Sequence, residues 1–327
     1  MARKTKAPPP REVTRRRLAR WQRERRRRRI TVTIGAVVIA VVIGIIVYGI
    51  YTTVIAPPRR LLSTVDGTSI IAAQYVKALN LCQLGFYFST GDLREDPLLM
   101  LEQYELMRQG AGGLEEPIQV TDDEITEQIR LMFEPEDEPL TDEEFQELYH
   151  QVLSDWHLSN EEFRWFAEFG LLQGKLDQHL RDQVTEVGEV VPQVHVQAIL
   201  VTTEEDANDV KARLDGGEDF ASVAEGYGQG DGDLGWLPQR IMSLDFDRVA
   251  FELDPDTVSE PFSIDGGYYI IIKVLDKEDM AIGEGVREQL EANAFGYWLE
   301  EQREEKVQRN PDLDLDAIYE WALEQIS

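Results

Sequence analysis

Hydrophobic and polar residues follow three successive patterns along this chain. The first is an apolar run from Ile30 to Ile55, twenty-six residues without one charged side chain. About 20 helical residues suffice to cross the ~30 Å hydrocarbon layer of a bilayer. The run therefore predicts an uncleaved transmembrane helix over residues 30–55, because its apolar centre is longer than that of a signal peptide.

The second pattern places apolar residues at helical spacing between residues 66 and 190. Three polar segments there have the S/T-x-x-E form of a capping box, in which hydroxyl and carboxylate accept hydrogen bonds from free amides of the first turn. These segments are Thr121 with Glu124, Thr141 with Glu144, and Ser159 with Glu162. We predict an all-helical module over residues 56–190, with Glu134 to Pro139 as an acidic connector.

The third pattern begins after Val190, where β-branched residues predominate. The segments Val191–Val201 and Tyr268–Leu275 are predicted strands, the second being an almost continuous run of β-formers. Short helices are predicted between them at Thr203–Leu214, Asp219–Tyr227 and Leu244–Phe251. Strand, helices and strand in this order indicate a small α+β domain with one antiparallel-type sheet over residues 191–279.

Residues 280–327 return to the helical pattern. Helices are predicted over Gly285–Gln308, whose apolar stripe includes Val307, and within Asp312–Ile326. Such a stripe must be buried, so these C-terminal helices are expected to pack back on the helical module. The fold class is therefore α+β, with an N-terminal transmembrane helix preceding both extramembrane parts.

Charge is distributed very unevenly along the chain. The net charge is −29, yet residues 1–29 hold fourteen basic residues against two acidic ones, a balance of +12. The positive-inside rule then predicts a cytoplasmic basic tail over residues 1–29, a single-pass anchor in the cell membrane, and an extracytoplasmic location after about residue 60. The tail is expected to lie near anionic lipid. Nucleic-acid binding is not predicted, because no aromatic interleaving or nucleic-acid fold accompanies the arginines.

Cysteine and histidine give no metal pattern. Cys82 is the only cysteine, so no intramolecular disulfide can form, and its apolar surroundings predict a buried thiol. His150, His157 and His179 lie in predicted helices without ligand spacing. We predict neither a metal nor a cofactor.

The segment from residue 195 to 275 carries a specific series of motifs. It reads HVQAILV, GEDFASVAEGYG, GDLGWL, IMSLDFDRVAF and GGYYIIIKVLDK. In order and spacing this series resembles the parvulin (PpiC, rotamase) family of peptidyl-prolyl cis-trans isomerases. The sequence of anchor, helical module, parvulin-like domain and C-terminal helix resembles the extracytoplasmic foldases of the SurA, PrsA and PpiD kind.

The resemblance implies an apolar socket for the proline ring. Its substrate-binding residues correspond to Leu234 in DGDLG, Met242 and Phe246. X-Pro isomerisation must cross a barrier of ~18–20 kcal/mol set by the double-bond character of the amide. A non-covalent mechanism holds the ring in such a socket and presents the twisted amide to hydrogen-bond donors.

The polar half of the family's site is altered in this chain. Ala198 stands where the family has its first histidine, and either Tyr269 or Ile270 stands at the second. His195 is offset by an odd number of residues and is expected on the opposite face of its strand. The family's Cys or Asp after FASVAEGY is absent. Tyr268 and Tyr269, with backbone amides, remain as candidate catalytic donors.

The sequence thus leads to one main hypothesis and two others. The main one is a membrane-tethered peptidyl-prolyl cis-trans isomerase and chaperone, which assists exported proteins and binds unfolded or extended Pro-containing polypeptides. The second is a degenerate rotamase that acts as a peptide-binding chaperone or scaffold without turnover. The third is a receptor for a basic partner, suggested by the acidic exterior.

Overall fold

The computed structural model describes residues 15–87, 89–135, 140–185, 190–264 and 267–326. The chain divides after Arg60 into two compact units, Met1–Arg60 and Leu61–Ser327. The first unit contains helix α1, Arg15–Ile50, followed by a π-helical turn at Tyr51–Ile55 and a 3-10 turn at Pro57–Arg59. Within α1, Val32–Ile50 is long and apolar enough to cross a membrane by length and composition, with a mean hydropathy of 2.7. The predicted apolar helix is confirmed, although it begins well before residue 30.

The second unit opens with a β-hairpin and a group of helices. Their bounds are β1 Leu61–Val65, β2 Thr68–Ile71, α2 Ala72–Gln83, α3 Asp96–Gly112, α4 Asp122–Phe133, α5 Asp142–Asp155 and α6 Asn160–Thr185. The three predicted capping boxes are confirmed by reciprocal hydrogen bonds at the starts of α4, α5 and α6. Residues 136–139 of the predicted acidic connector lie outside the described residues.

The prediction of an all-helical module over residues 56–190 is wrong at Leu61–Val65 and Thr68–Ile71, which form strands. Asp66 and Gly67 at the preceding turn have φ values of 44° and 81°. Positive φ at both central positions is the geometry of the two-residue turn that matches the twist of a hairpin. The Asp-Gly pair therefore directs the chain into β1 and β2 before the first helix of the module starts.

The C-terminal segment completes this module. It contains α10 Glu284–Lys306, β7 Val307–Arg309 and α11 Leu315–Ile326, and the small sheet has the order β2-β1-β7. The prediction of helix up to Gln308 is wrong, because Val307 and Gln308 pair antiparallel with β1. The expected packing is confirmed, since α10 lies against α6 and α3, and α11 lies against α2. One core unites these helices, and Cys82 is buried in it as predicted.

The rotamase-like domain is inserted between the two parts of that module. Its elements are β3 Val190–Val201, α7 Glu204–Asp215, α8 Phe220–Gly226, β4 Asp233–Pro238, α9 Leu244–Glu252, β5 Phe262–Ile264 and β6 Tyr268–Ala281. The four strands form one antiparallel sheet of order β4-β3-β6-β5, as predicted. Strand β6 runs six residues beyond the predicted end at Leu275. Side chains that cap α7, α8 and α9 come from Thr203, Asp219 and Ser243.

Candidate functional site

The two faces of the four-stranded sheet carry separate cores. On one face, alternate residues of β3 and β6 pack against α9. This α9-face cluster comprises Val194, Val196, Ala198, Ile270, Ile272 and Val274, together with Phe246 and Ala250 of the helix. On the other face, the α7/α8-face cluster comprises Ile199, Val201 and Ile271 with buried residues of α7 and α8. The family's binding site would belong to the α9 face, because Phe246 lies there.

The structure brings two of the three predicted socket residues together. Phe246 is a member of the α9-face cluster and is only 1% exposed, while Met242 is half-buried against the same cluster. Leu234 is 43% exposed and does not belong to this cluster. Phe246 is therefore part of the packed core, whereas Met242 keeps part of its surface exposed.

Leu234 lies in a bulge of strand β4. Val196 pairs with Gly235 and Gln197 pairs with Asp233, so Leu234 is the extra residue between two pairs. One oxygen of Asp233, Oδ1, accepts a hydrogen bond from the Gly235 amide at 2.8 Å and lies 2.8 Å from His195 Nε2. The Gly235 amide, and then His195, lower the pKa of Asp233 below its usual range. These contacts fix the bulge that presents Leu234.

His195 thus has a structural role on the face away from Ala198. Its ring stacks on Trp236 with a centroid distance of 5.3 Å, and it does not belong to the α9-face cluster. This agrees with the expectation from its odd offset along the strand. The stacked rings of His195, on β3, and Trp236, on β4, lie beside the bulge and support it.

The polar centre of the family's site is aliphatic here. Ala198 and Ile270 are both buried in the α9-face cluster. Tyr269 pairs with Val201 and packs half-buried against the α7/α8-face cluster. Strand alternation puts Tyr268, which is 42% exposed, on the same face as Ile270. Of the two tyrosines, the structure brings only Tyr268 to the α9 face, and a catalytic role for either stays a prediction.

Helix α10 holds the segment that carries Met242 and Phe246. Asn293 Nδ2 donates to the carbonyl oxygens of Arg240 and Ile241 at 3.2 and 3.0 Å, and the Leu244 amide donates to Glu300 Oε2 at 3.2 Å. A small junction core unites Val184, Ile241, Leu290 and Ala294, with Met242 packed against it. Met242 therefore contacts both the α9-face cluster and the junction with the helical module.

Asp247 is a buried carboxylate at this junction that the sequence analysis missed. Its Oδ2 accepts a hydrogen bond from the Arg240 amide at 2.7 Å, and Arg240 has a φ of 71°. The side chain of Tyr297 also interacts with this carboxylate. Burial raises the pKa of Asp247 more than the Arg240 amide and Tyr297 lower it. The only available signal was an acidic residue in the otherwise amphipathic segment FDRVAF.

No group of three or more His, Cys, Asp or Glu side chains that could hold a metal ion occurs within the described parts of the chain. The prediction that neither metal nor cofactor takes part stays a prediction. Met242 is half-buried, while Leu234 and Tyr268 are 43% and 42% exposed.

Comparison with known families identifies the class of the inserted domain. Residues 192–276 match the model of the family described as Rotamase, the PPIC-type PPIASE domain. The chain therefore carries a parvulin-type rotamase domain, which confirms the resemblance inferred from its motifs. The match covers the sheet from β3 to β6 with the helices between them.

Comparison with individual proteins extends the likeness to foldases named PrsA. The chain is 39% identical over 106 residues to Foldase protein PrsA of Geobacillus sp. (strain WCH70), covering 31% of this chain and 38% of that protein. It is 25% identical over 210 residues to Foldase protein PrsA 2 of Bacillus cereus, covering 61% of this chain and 67% of that protein. Two relatives from Geobacillus are thus matched over only 38% and 33% of their own lengths. The crystal structure of the peptidylprolyl isomerase PrsA from Bacillus anthracis matches with 20% identity and a TM-score of 0.34, covering 70% of this chain and 96% of that one.

Proposed function

We propose that this chain is a membrane-tethered foldase that combines a peptidyl-prolyl cis-trans isomerase with a chaperone module. Helix α1 would anchor the chain, with the basic tail cytoplasmic and near anionic lipid, and the unit Leu61–Ser327 extracytoplasmic. The clients would be exported polypeptides that are still extended or unfolded. The positive-inside asymmetry supports this topology, because only Arg59 and Arg60 flank the other end of the apolar run.

One observation carries the enzymatic half of the proposal. Within a segment that matches the PPIC-type domain, Met242 and Phe246 pack on the same face of the sheet. An apolar surface of this kind excludes water from a bound X-Pro amide, and desolvation favours the twisted state, whose resonance is weakened. Neither a nucleophile nor a proton transfer is required, since the reaction only rotates the C–N bond.

The hydrogen-bond donor for the twisted amide would be Tyr268. Tyr268 is 42% exposed at the start of β6 and shares the α9 face with Ile270 by strand alternation, whereas Tyr269 is packed on the opposite face. We therefore expect Tyr268→Phe to lower kcat/KM about tenfold, which corresponds to one lost hydrogen bond in the transition state of ~1.4 kcal/mol. Tyr269→Phe is the matched control and should leave kcat/KM unchanged. Equal effects of the two substitutions would contradict this assignment.

A protease-coupled assay on a proline peptide tests the activity itself. The full-length protein in phospholipid nanodiscs is expected to accelerate cis-to-trans conversion, and Met242→Ala should abolish most of that acceleration. Met132→Ala is a suitable control, because Met132 is exposed on α4 in the helical module. Turnover that survives Met242→Ala would mean that the amide is bound elsewhere.

A second candidate is a rotamase domain that binds extended peptides without turnover. The burial of Phe246 and the aliphatic side chains at Ala198 and Ile270 favour it, because these positions offer no polar contact to the amide. Wild-type protein that gives no acceleration, yet suppresses aggregation of an unfolded client, would establish this alternative.

A further inference from the structure

The helical module contains a cavity that the rotamase chemistry does not use. It has a volume of about 520 Å³ and lies among strand β2 and helices α3, α4 and α6. Its lining includes Ser69 of the strand, Tyr104 of α3, and Trp165 and Glu168 of α6. Both hydrogen-bonding backbone and aromatic side chains are therefore available within one concave surface.

The strand beside this cavity is the edge of its sheet. In the part of the chain that the structure describes, the order β2-β1-β7 leaves β2 paired on one side only. In a hairpin with a two-residue turn, the two residues that flank the turn, here Val65 and Thr68, form a hydrogen-bonded pair. Hydrogen-bonded and non-hydrogen-bonded pairs alternate along the strands, so the next pair, Thr64 and Ser69, is not hydrogen-bonded. The N–H and C=O of Ser69 are then directed away from β1. They offer one donor and one acceptor to an added strand.

The bonds on the other side of β1 agree with this register. The Asp66 amide donates to Lys306 O at 2.9 Å, and the Asn310 amide donates to Leu62 O at 2.9 Å. The backbone groups of even-numbered residues in β1 thus point toward β7, and those of odd-numbered residues point toward β2. Ser69 itself is exposed, so its outward groups can be reached from the cavity.

Two aromatic rings lie on the floor of the cavity. The rings of Tyr104 and Trp165 meet edge to face at a centroid distance of 5.4 Å, and both residues are half-buried. The Tyr104 hydroxyl donates to Glu168 Oε1 at 3.0 Å. Burial, followed by the charge of Glu168, raises the pKa of Tyr104, so the phenol remains a neutral donor. Rings of this kind attract a cation placed over their faces.

The charges around the cavity favour a cationic ligand group. Five carboxylates line it against two cations, which leaves a formal charge of −3. Lys77 pairs with Glu161 at 2.9 Å and Arg164 pairs with Asp122 at 2.7 Å, so both cations are engaged at the rim. The described partner of Glu168 is a hydroxyl rather than a cation. Its charge is available to a ligand.

We propose that this cavity binds one extended segment of a client polypeptide. The segment adds as a strand to β2 at Ser69 and places a Lys or Arg side chain over Trp165 and Tyr104, against Glu168. This site deepens the chaperone half of the proposed function and rests on it. It does not depend on proline in the client, because none of its contacts involves the rotamase domain.

Fluorescence polarisation tests the site with a labelled nine-residue peptide. The peptide consists of alternating Thr and Val with one central Lys, and it contains no proline. The protein is used as the full chain in phospholipid nanodiscs. Binding is expected to weaken about fivefold when the Lys is replaced by Glu in the peptide or when Glu168→Gln removes the charge. N-methylation of the peptide amide that pairs with Ser69 should weaken it about tenfold. Glu147→Gln, on the exposed face of α5, is the matched control and should change nothing.

A photoreactive phenylalanine analogue in the peptide locates the bound segment independently. Cross-links are expected within residues 68–77 and 161–168, which line the cavity. Circular dichroism of Glu168→Gln checks that its fold is intact, and its isomerase rate should equal that of the wild type. This readout keeps the cavity separate from the rotamase site.

Three outcomes would overturn the site. Peptide binding that ignores Glu168→Gln and N-methylation would refute this location while leaving the chaperone function standing. An absence of any peptide binding by the wild type would refute the chaperone half of the proposed function as well. A dimer whose cross-links join β2 of two copies, and which excludes the peptide, would assign this edge to a second copy of the chain.

Discussion

The helical module and the rotamase domain differ in how their buried polar groups are satisfied. The module buries the carboxylates of Asp96 and Glu102 completely, and it keeps a polar and aromatic cavity beside strand β2. The rotamase domain has aliphatic side chains at Ala198 and Ile270, where its family has polar chemistry. The α9-face core of that domain is therefore held together by hydrophobic contact at these positions. The module, by contrast, pairs its buried Glu102 with the cation of Arg309.

Truncation of Phe246 should have the largest effect on stability. Phe246→Ala removes a fully buried ring from the α9-face cluster, and we expect a loss of about 4 kcal/mol in the free energy of unfolding. Chemical denaturation of the full chain measures it. Leu200→Ala, on the same sheet but partly exposed, is the control and should cost less than about 1 kcal/mol. A small loss at Phe246 would mean that the ring lines an open socket instead of the core.

Loss of one buried ion pair should have the next largest effect. Arg309 of β7 contacts both oxygens of Glu102, at 3.2 and 3.3 Å, and also Glu95 at 3.0 Å. Arg309→Met leaves the fully buried Glu102 carboxylate without its cation, and we expect a loss of about 3 kcal/mol. Arg181→Met breaks a partly exposed pair with Asp177 on α6 and should cost only ~0.5 kcal/mol. Similar losses in both variants would mean that the buried pair of Arg309 and Glu102 stabilises the module no more than a partly exposed pair does.

Replacement of the buried Asp247 should change the free energy of unfolding least of the three, but in a way that depends on pH. The pKa of Asp247 is higher in the folded state than in the unfolded state. Its contribution to stability is therefore present below the unfolded-state pKa of about 3.9 and is lost as pH rises through the folded-state pKa. Asp247→Asn removes this titration. We expect the variant to match the wild type near pH 3.5 and to exceed it by about 1 kcal/mol at pH 8, measured by denaturation at both values.

Asp245→Asn is the control for this pH dependence, because Asp245 is an exposed carboxylate on the same helix. Asp245→Asn should change the free energy of unfolding by the same small amount at both pH values. A wild type that becomes more stable than Asp247→Asn as pH rises would show that the carboxylate is stabilised rather than strained by its burial.

Local signals in the sequence predicted most of the helices and the central strands. Capping boxes were reliable because their hydrogen bonds join residues only three apart, as at Thr121 and Glu124. The Asp66-Gly67 pair was an equally local hairpin signal, yet it was overlooked beside the strong helical periodicity that follows it. Strand β7 could not be predicted, since its three residues pair with β1 across most of the chain.

The candidate site was harder to predict than the fold. Motif spacing identified Met242 and Phe246, which do share one core. It left either Tyr269 or Ile270 at the position of the second histidine, because an extra residue in the motif allowed two alignments. The pairing of Tyr269 with Val201, which puts Tyr269 on the other face, is a property of the sheet. Exposure of Leu234 depends on a bulge, which no pattern in the sequence reveals.

The pairing of β7 with β1 imposes an order on how this chain can mature as it leaves the ribosome. The parvulin sheet is complete once Ala281 has been made, and its first and last strands end side by side at Val190 and Ala281. The helical module must wait for Arg309, because its own small sheet lacks a strand until then. During that interval the inserted domain is complete while the surrounding module is still incomplete, so this chain passes through a partly folded stage of its own.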